Sequence, residues 1–85
     1  MIFPTIHRNG TAAEDLLTDA IDACDALRAA IAAVQKSGPN ARDYYVQPAG
    51  SFTRAQEEHI DRLHRLESVL RELEALAEHA SKGVR

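Results

Sequence analysis

The chain has little cysteine and no long run of apolar residues. Its 85 residues contain one cysteine, so no disulfide can form within the chain. No apolar run approaches the roughly 18 residues that a membrane span needs. The opening Met1-Ile2-Phe3-Pro4 is too short for a signal peptide. We therefore expect a soluble, cytoplasmic protein with no membrane partner.

Aromatic residues are also scarce, and basic residues do not outnumber acidic ones. An aromatic content of 5% beside a hydrophobic content of 45% is typical of helical bundles built from Leu and Ala. The net charge of −3 argues against a nucleic-acid partner, because such proteins usually present a basic face to phosphates. A chain of this length buries only a modest core, so oligomerisation is the expected source of further burial.

Two long segments have apolar residues at alternating steps of three and four, which predicts amphipathic helices. In residues 11–37 these positions are Leu17, Ala20, Cys24, Leu27, Ile31 and Val34. In residues 53–81 they are Leu63, Leu66, Leu70, Leu73, Ala77 and Ala80. Thr11 and Thr53 each begin a capping box, with Glu14 and Gln56 three residues later, and so predict the two helix starts.

The predicted fold is all-α and forms one domain of two long antiparallel helices. An extended arm (1–10) precedes the first helix (11–37), and a connector (38–52), the second helix (53–81) and a tail (82–85) follow. Ile60, Val69 and Leu76 lie beside the second apolar line, so the stripe is wider than one partner helix needs. We therefore expect the hairpins to form a dimeric four-helix bundle or a higher homo-oligomer.

The first candidate ligand-binding segment is the end of the arm. His7, Arg8, Asn9 and Thr11 combine two possible cations with polar groups at the start of a helix, where backbone amides favour anions. A turn at Asn9-Gly10 followed by a helix cap is the alternative interpretation, and it leaves His7 and Arg8 unexplained.

The second candidate segment is the connector, which is longer than the 2–8 residues that join most helices. Its candidate residues are Asn40, Arg42, Asp43, Tyr44 and Tyr45. They offer stacking faces, hydroxyls and a guanidinium, the groups that hold a nucleobase and its phosphate. Alternatively, the tyrosines cover the bundle end over Ile31, Val34 and His59 while Arg42 pairs with Asp43. His59 belongs to the candidate site, because its place in the apolar register predicts partial burial at the connector end.

The other potentially reactive residues have an interpretation that requires no catalytic or metal site. Cys24 occupies the apolar line of the first helix and is predicted to be a core residue. Asp61 and His64 have the spacing of a di-metal bundle, but the aspartates of the first helix fall outside its apolar line. No nucleophile and base, phosphate-binding glycine loop or metal set is visible, so we expect neither an enzyme nor a cofactor.

Two stretches of the sequence resemble those of known proteins. Pro4-Thr5-Ile6-His7 with Asn9-Gly10-Thr11, followed after one helix by Asn40-Ala41-Arg42-Asp43-Tyr44-Tyr45, resembles small phage and prophage proteins over nearly the whole chain. In size and architecture the chain is also similar to helical-hairpin phage "sponges", which oligomerise and sequester cyclic-nucleotide immune signals. This second likeness implies an oligomer that binds a small nucleotide.

Two functions remain open from the sequence. One is a module that sequesters a phosphorylated ligand at subunit boundaries, where antiparallel pairing of two hairpins would bring His7 and Arg8 of one chain to Arg42 and Tyr44 of another. The other is a structural or protein-interaction module, such as a phage assembly component or an inhibitor of a host protein, whose connector contacts a protein partner.

Overall fold

The computed structural model describes residues 1–84, and within that range it is a hairpin of two helices without strands. Helix α1 spans Ala13–Lys36 and helix α2 spans Ser51–Ser81, with a short 3₁₀ helix, Ala41–Asp43, in the connector between them. The two helices pack against each other in an antiparallel hairpin with a long axis of 62 Å. Neither helix is apolar enough over a sufficient length to cross a membrane. The predicted all-α hairpin is confirmed.

Both helices begin away from the residues that the capping boxes predicted. Helix α1 begins at Ala13 with Ala12 as its N-cap, and no side chain caps it, so the box at Thr11 is wrong. Helix α2 begins at Ser51, two residues before the predicted Thr53. There the turn decides the start: Gly50 takes a left-handed φ of 89°, and the Ser51 hydroxyl donates to the Pro48 carbonyl oxygen at 2.7 Å.

The core of the hairpin is a single narrow line. Its buried apolar residues are Ala13, Cys24, Ile31 and Ala80. Cys24 is therefore a core residue, as predicted. The leucines that face the partner helix, including Leu27, Leu63 and Leu70, remain half-buried. Two helices enclose only the line along which they touch, so the wider apolar stripe stays partly in water.

One lateral surface of the hairpin is apolar, and we call it the apolar side face. At about 100° per residue, it includes apolar residues of both helices on the same side of the contact line. These residues are Leu16, Ala20, Ala23, Leu27 and Val34 of α1 with Leu66, Val69, Leu73 and Leu76 of α2. All are half-buried except Val69, which is 46% exposed.

The other lateral surface, the polar side face, carries charged and amide side chains together with two exposed isoleucines. Its residues are Ile21, Arg28 and Gln35 of α1 with Gln56, Ile60, Glu67 and Glu74 of α2. Arg28 donates across the hairpin to a carboxylate oxygen of Glu74 at 3.1 Å. Both partners are about half exposed, so this pair adds little stability. The two lateral surfaces therefore differ in chemistry although they flank the same contact line.

The arm folds back onto the end of α2. The ring of Phe3 stacks on that of His79 with centroids 4.9 Å apart. Nε2 of His79 donates to the Pro4 carbonyl oxygen at 2.7 Å. Gly83 allows a close approach here, because a Cβ at that position would lie 3.2 Å from Cγ1 of Ile6. Residues 1–10 are therefore tied to the open end of the hairpin.

Candidate functional site

The connector is folded by short backbone hydrogen bonds that set the direction of Tyr44. The side-chain oxygen of Asn40 accepts from the amide of Arg42 at 3.2 Å and begins the 3₁₀ helix. The amide of Tyr44 then donates to the Ala41 carbonyl, and that of Gln47 to the Tyr44 carbonyl, both at 3.0 Å. This turn directs Tyr44 toward the helices, where its ring centroid lies 6.0 Å from that of Phe52.

A cavity of about 280 Å³ opens where the connector meets the two helices. We call it the loop-end cavity. It is lined by Ser37, Pro39, Tyr44, Ala55, Glu58, His59 and Arg62. Most of these residues present polar groups, so the cavity differs from the apolar grooves elsewhere along the hairpin. It is the strongest candidate for a ligand site in the described part of the chain.

Helical spacing explains why three charged or titratable side chains of α2 meet in this cavity. Glu58, His59 and Arg62 lie within about one turn, so they project toward the same end of the same groove. His59 is half-buried, as its register predicted. Arg62 forms no ion pair with any residue in the range 1–84, which leaves its guanidinium open to an external anion.

His59 also borders a second cavity, of about 240 Å³, on the polar side face. Gln35, Gly38 and Gln56 share this cavity with it. Gly38 allows His59 to pack closely, because a Cβ there would lie 3.3 Å from Nε2 of His59. The imidazole thus stands between two cavities and can exchange hydrogen bonds with a ligand in either one.

Tyr45 lies outside the loop-end cavity although it follows Tyr44 in the chain. It is 81% exposed, and it lines an outer cavity of about 290 Å³ with Gln47, Pro48 and Phe52. Val46 beside it is 78% exposed. Tyr44 lines this outer cavity as well, so the two tyrosines share it, and only Tyr44 also reaches the loop-end cavity. Whether either ring holds a ligand stays a prediction.

The remaining connector residues have separate positions. Asn40 caps the 3₁₀ helix. Arg42 and Asp43 are exposed and line none of the cavities described above. The predicted local pairing between them is wrong, since no ion pair joins them among residues 1–84. Their side chains point into solvent, where either could meet another molecule.

The arm candidates lie at the opposite end of the hairpin. His7, Arg8, Asn9 and Thr11 are exposed around a turn closed by a bond from the Gly10 amide to the His7 carbonyl at 3.1 Å. The His7 ring covers Gly10, where an added Cβ would lie 2.7 Å from Nε2. One chain therefore brings Tyr44 and His59 together and leaves the arm candidates apart from them by most of the 62 Å axis.

Five residues of the loop-end cavity were not among the predicted site residues: Ser37, Pro39, Ala55, Glu58 and Arg62. A signal for Arg62 was present, because it follows His59 by three positions and so shares a helix side with it. Ser37 and Glu58 carried no comparable signal. Within residues 1–84, no group of three or more His, Cys, Asp or Glu is arranged to hold a metal ion.

Comparisons with protein-family models, with curated proteins and with solved structures found no match to this chain in any of the three. The resemblance to phage proteins therefore remains a prediction from the sequence. The functional argument depends on the geometry of the site.

Proposed function

We propose that this chain is a non-enzymatic, homo-oligomeric binding protein that holds a small phosphorylated ligand, with a nucleotide signal as the preferred candidate. The loop-end cavity is the observation that carries the proposal. It combines an aromatic ring (Tyr44), an imidazole (His59) and an arginine without an ion pair among the described residues (Arg62). A base or ribose would contact Tyr44 and His59, while Arg62 would bind phosphate.

The size of the cavity favours a site shared between chains. Small-molecule sites usually enclose about 300–1,000 Å³, and the loop-end cavity is about 280 Å³. One chain would therefore surround only part of a nucleotide. His7, Arg8, Asn9 and Thr11 of a second copy would supply the remaining polar wall. Arg42 and Asp43 would lie at its edge. In this proposal the protein acts in the cytoplasm as a phage-type sponge that lowers the free concentration of an immune signal.

A second candidate function is supported by the exposed tip of the connector. Tyr45 and Val46 together present an aromatic and an apolar side chain to solvent. Tyrosines in such positions are frequent anchors of protein interfaces. In this alternative the chain is a structural or interaction module, and the connector tip contacts a protein such as a phage assembly component or a host target.

The test is native mass spectrometry and calorimetry with cyclic mono-, di- and trinucleotides and their linear relatives. We expect stoichiometric binding of one member of this panel. Arg62→Ala should weaken it at least about 30-fold, because a charge-assisted contact to phosphate is lost. Tyr44→Ala should weaken it about 10-fold or more through the loss of stacking.

Matched variants separate the two candidate functions. Arg71→Ala removes an exposed arginine from the same helix outside the cavity and should bind as the wild type does. Tyr45→Ala should also bind normally. Absence of binding across the panel, or equal losses in Arg62→Ala and Arg71→Ala, would contradict the ligand proposal. Loss of a protein partner in Tyr45→Ala but not Tyr44→Ala would favour the interaction module.

A further inference from the structure

The hairpin exposes more surface than a chain of its mass normally does. Its accessible surface is 6408 Å², whereas a folded monomer of 9.3 kDa has about 5,000 Å². The radius of gyration is 18.7 Å, against about 12 Å for a compact domain of this length. The excess of roughly 1,400 Å² falls within the range that one subunit of an obligate dimer buries.

We infer that the apolar side face is the surface that binds a second copy of this chain, with the two hairpins antiparallel. This inference rests on the homo-oligomer proposed above and adds the face and the orientation. The central part of the face, from Ala20 to Val34 and from Leu66 to Leu76, contains no charged residue. The polar side face carries the Arg28–Glu74 ion pair in the same region, and a copy seated there would desolvate it.

The apolar side face contains a groove with a mostly apolar lining. It has a volume of about 310 Å³ and is walled by Pro4, Leu16, Ala20, Leu76 and Ala80, with Asp19 at its edge. Since the arm contributes Pro4, the folded arm enlarges the apolar side face. A two-fold dimer would fill this groove twice, once on each copy.

Charge placement favours the antiparallel arrangement. Asp19 borders the apolar groove near the open end, while Arg62 borders the loop-end cavity on the same side of the hairpin. Antiparallel copies centred on the face place Asp19 of each near Arg65 of the other, while Arg62 remains available to the ligand. A parallel two-fold pair would instead oppose like charges at each end.

This orientation has a consequence for the ligand site. Antiparallel copies place the arm turn of one chain, with His7 and Arg8, beside the loop-end cavity of the other. The two cavities of a dimer would then be equivalent, one at each end, and each would contain groups from both chains. A ligand bound there would contact both subunits and so would strengthen their association.

Sedimentation equilibrium without ligand tests whether the apolar side face is the dimer interface. We expect the wild-type chain to be a dimer or a larger even oligomer. Val69→Glu should raise the dissociation constant at least about 100-fold, because a two-fold interface would bury two unpaired carboxylates. Ile60→Glu is the matched control, since Ile60 is another β-branched residue of α2, 52% exposed, on the polar side face. It should change the constant less than about threefold.

Each outcome of this experiment bears on the inference. If Val69→Glu gives a folded monomer or an unfolded chain while Ile60→Glu stays a folded dimer by circular dichroism, the apolar side face is supported. Equal effects, or a larger effect of Ile60→Glu, would overturn the face. A monomeric wild type would overturn the homo-oligomer as well. The nucleotide titration tests ligand binding independently of the oligomeric state. A monomer that still binds a nucleotide would therefore support the ligand-binding part of the proposed function.

A distance measurement tests the orientation. Ala49→Cys places a nitroxide on the exposed connector, while buried Cys24 stays unlabelled. In antiparallel dimers the two labels should be separated by a distance comparable with the 62 Å length of one chain. A pulsed electron resonance distance below about 30 Å would indicate a parallel pair, because labels at one end are separated only by the width of a bundle.

Discussion

Adjacent residues of the connector have different environments. Tyr44 borders the loop-end cavity and packs near Phe52, whereas Tyr45 is 81% exposed. The bonds from the Tyr44 amide to Ala41 and from the Gln47 amide to Tyr44 produce this difference, because a tight turn directs successive side chains to different sides. From the residue identities alone, the two tyrosines were expected to act together. The turn instead gives them different degrees of exposure.

A prediction at the residue scale concerns Gly50, whose φ of 89° lies in the left-handed region. Gly50→Ala should lower the free energy of unfolding by about 1 kcal/mol, because an L residue is strained at this φ. Steric contact does not contribute, since a Cβ at this position meets nothing within 4 Å. Urea denaturation at one fixed protein concentration measures the change.

Gly50→Asn provides the control for that prediction. Asparagine tolerates the left-handed conformation better than alanine does, so this variant should lose less than half as much stability. Equal losses in the two variants would mean that backbone strain at Gly50 is not the cause.

At the scale of elements, a turn and a folded arm determine how the hairpin ends. Helix α2 begins after Gly50 instead of at a threonine cap. At the open end, His79 links the arm to α2 through the Pro4 carbonyl and the Phe3 ring. A contact between residues 75 positions apart leaves no local signal in the sequence.

The second prediction is that His79→Ala releases the arm. Removal of the imidazole deletes both the hydrogen bond to Pro4 and the stacking with Phe3. Backbone order parameters from nitrogen-15 relaxation should fall below about 0.6 in the arm, the range of flexible segments. The order parameters of helix α2 should not change.

His64→Ala is the matched control for the release of the arm, because His64 is an exposed histidine of the same helix. In this variant the order parameters of residues 1–7 should equal those of the wild type. If His79→Ala also left the arm ordered, the packing of Ile6 against Gly83 would be sufficient to hold it.

For the whole molecule, the central property is that the helices carry many apolar side chains but a single hairpin buries few of them. The described chain has only four buried apolar residues, and none of them is larger than isoleucine. A core this small provides little of the free energy that offsets chain entropy. In the homo-oligomer that we propose, association would supply the burial that a single hairpin lacks.

The prediction at this scale is that unfolding depends on protein concentration. When folding is coupled to association, the midpoint of thermal unfolding rises with concentration by mass action. We expect an upward shift of several degrees between about 1 and 100 μM for the wild type. Circular dichroism at 222 nm, in cells of different path length, measures it.

Val69→Glu should abolish this concentration dependence and unfold at a lower temperature, whereas Ile60→Glu should keep it. A wild-type midpoint that does not change over this range would indicate either a very tight oligomer or a stable monomer. Sedimentation at the lowest concentration distinguishes these cases, and the monomer would contradict the prediction.

The sequence by itself determined the two helices, their antiparallel hairpin, the burial of Cys24 and the excess width of the apolar stripe. Each of these follows from apolar periodicity and chain length, which are local properties that a helix translates directly into a face. For the same reason the register correctly predicted the half-buried position of His59 at the connector end.

Only the tertiary structure decided which groups share the loop-end cavity and which side of the hairpin is apolar. Arg62 and Ser37 meet Tyr44 because α1, the connector and α2 converge there, and no spacing along one segment encodes that convergence. The apolar side face likewise combines residues of two helices whose relative rotation is set by packing. The turn at Gly50 places the start of α2 at Ser51, and α1 begins at Ala13 without any side-chain cap, so neither threonine box sets a helix start.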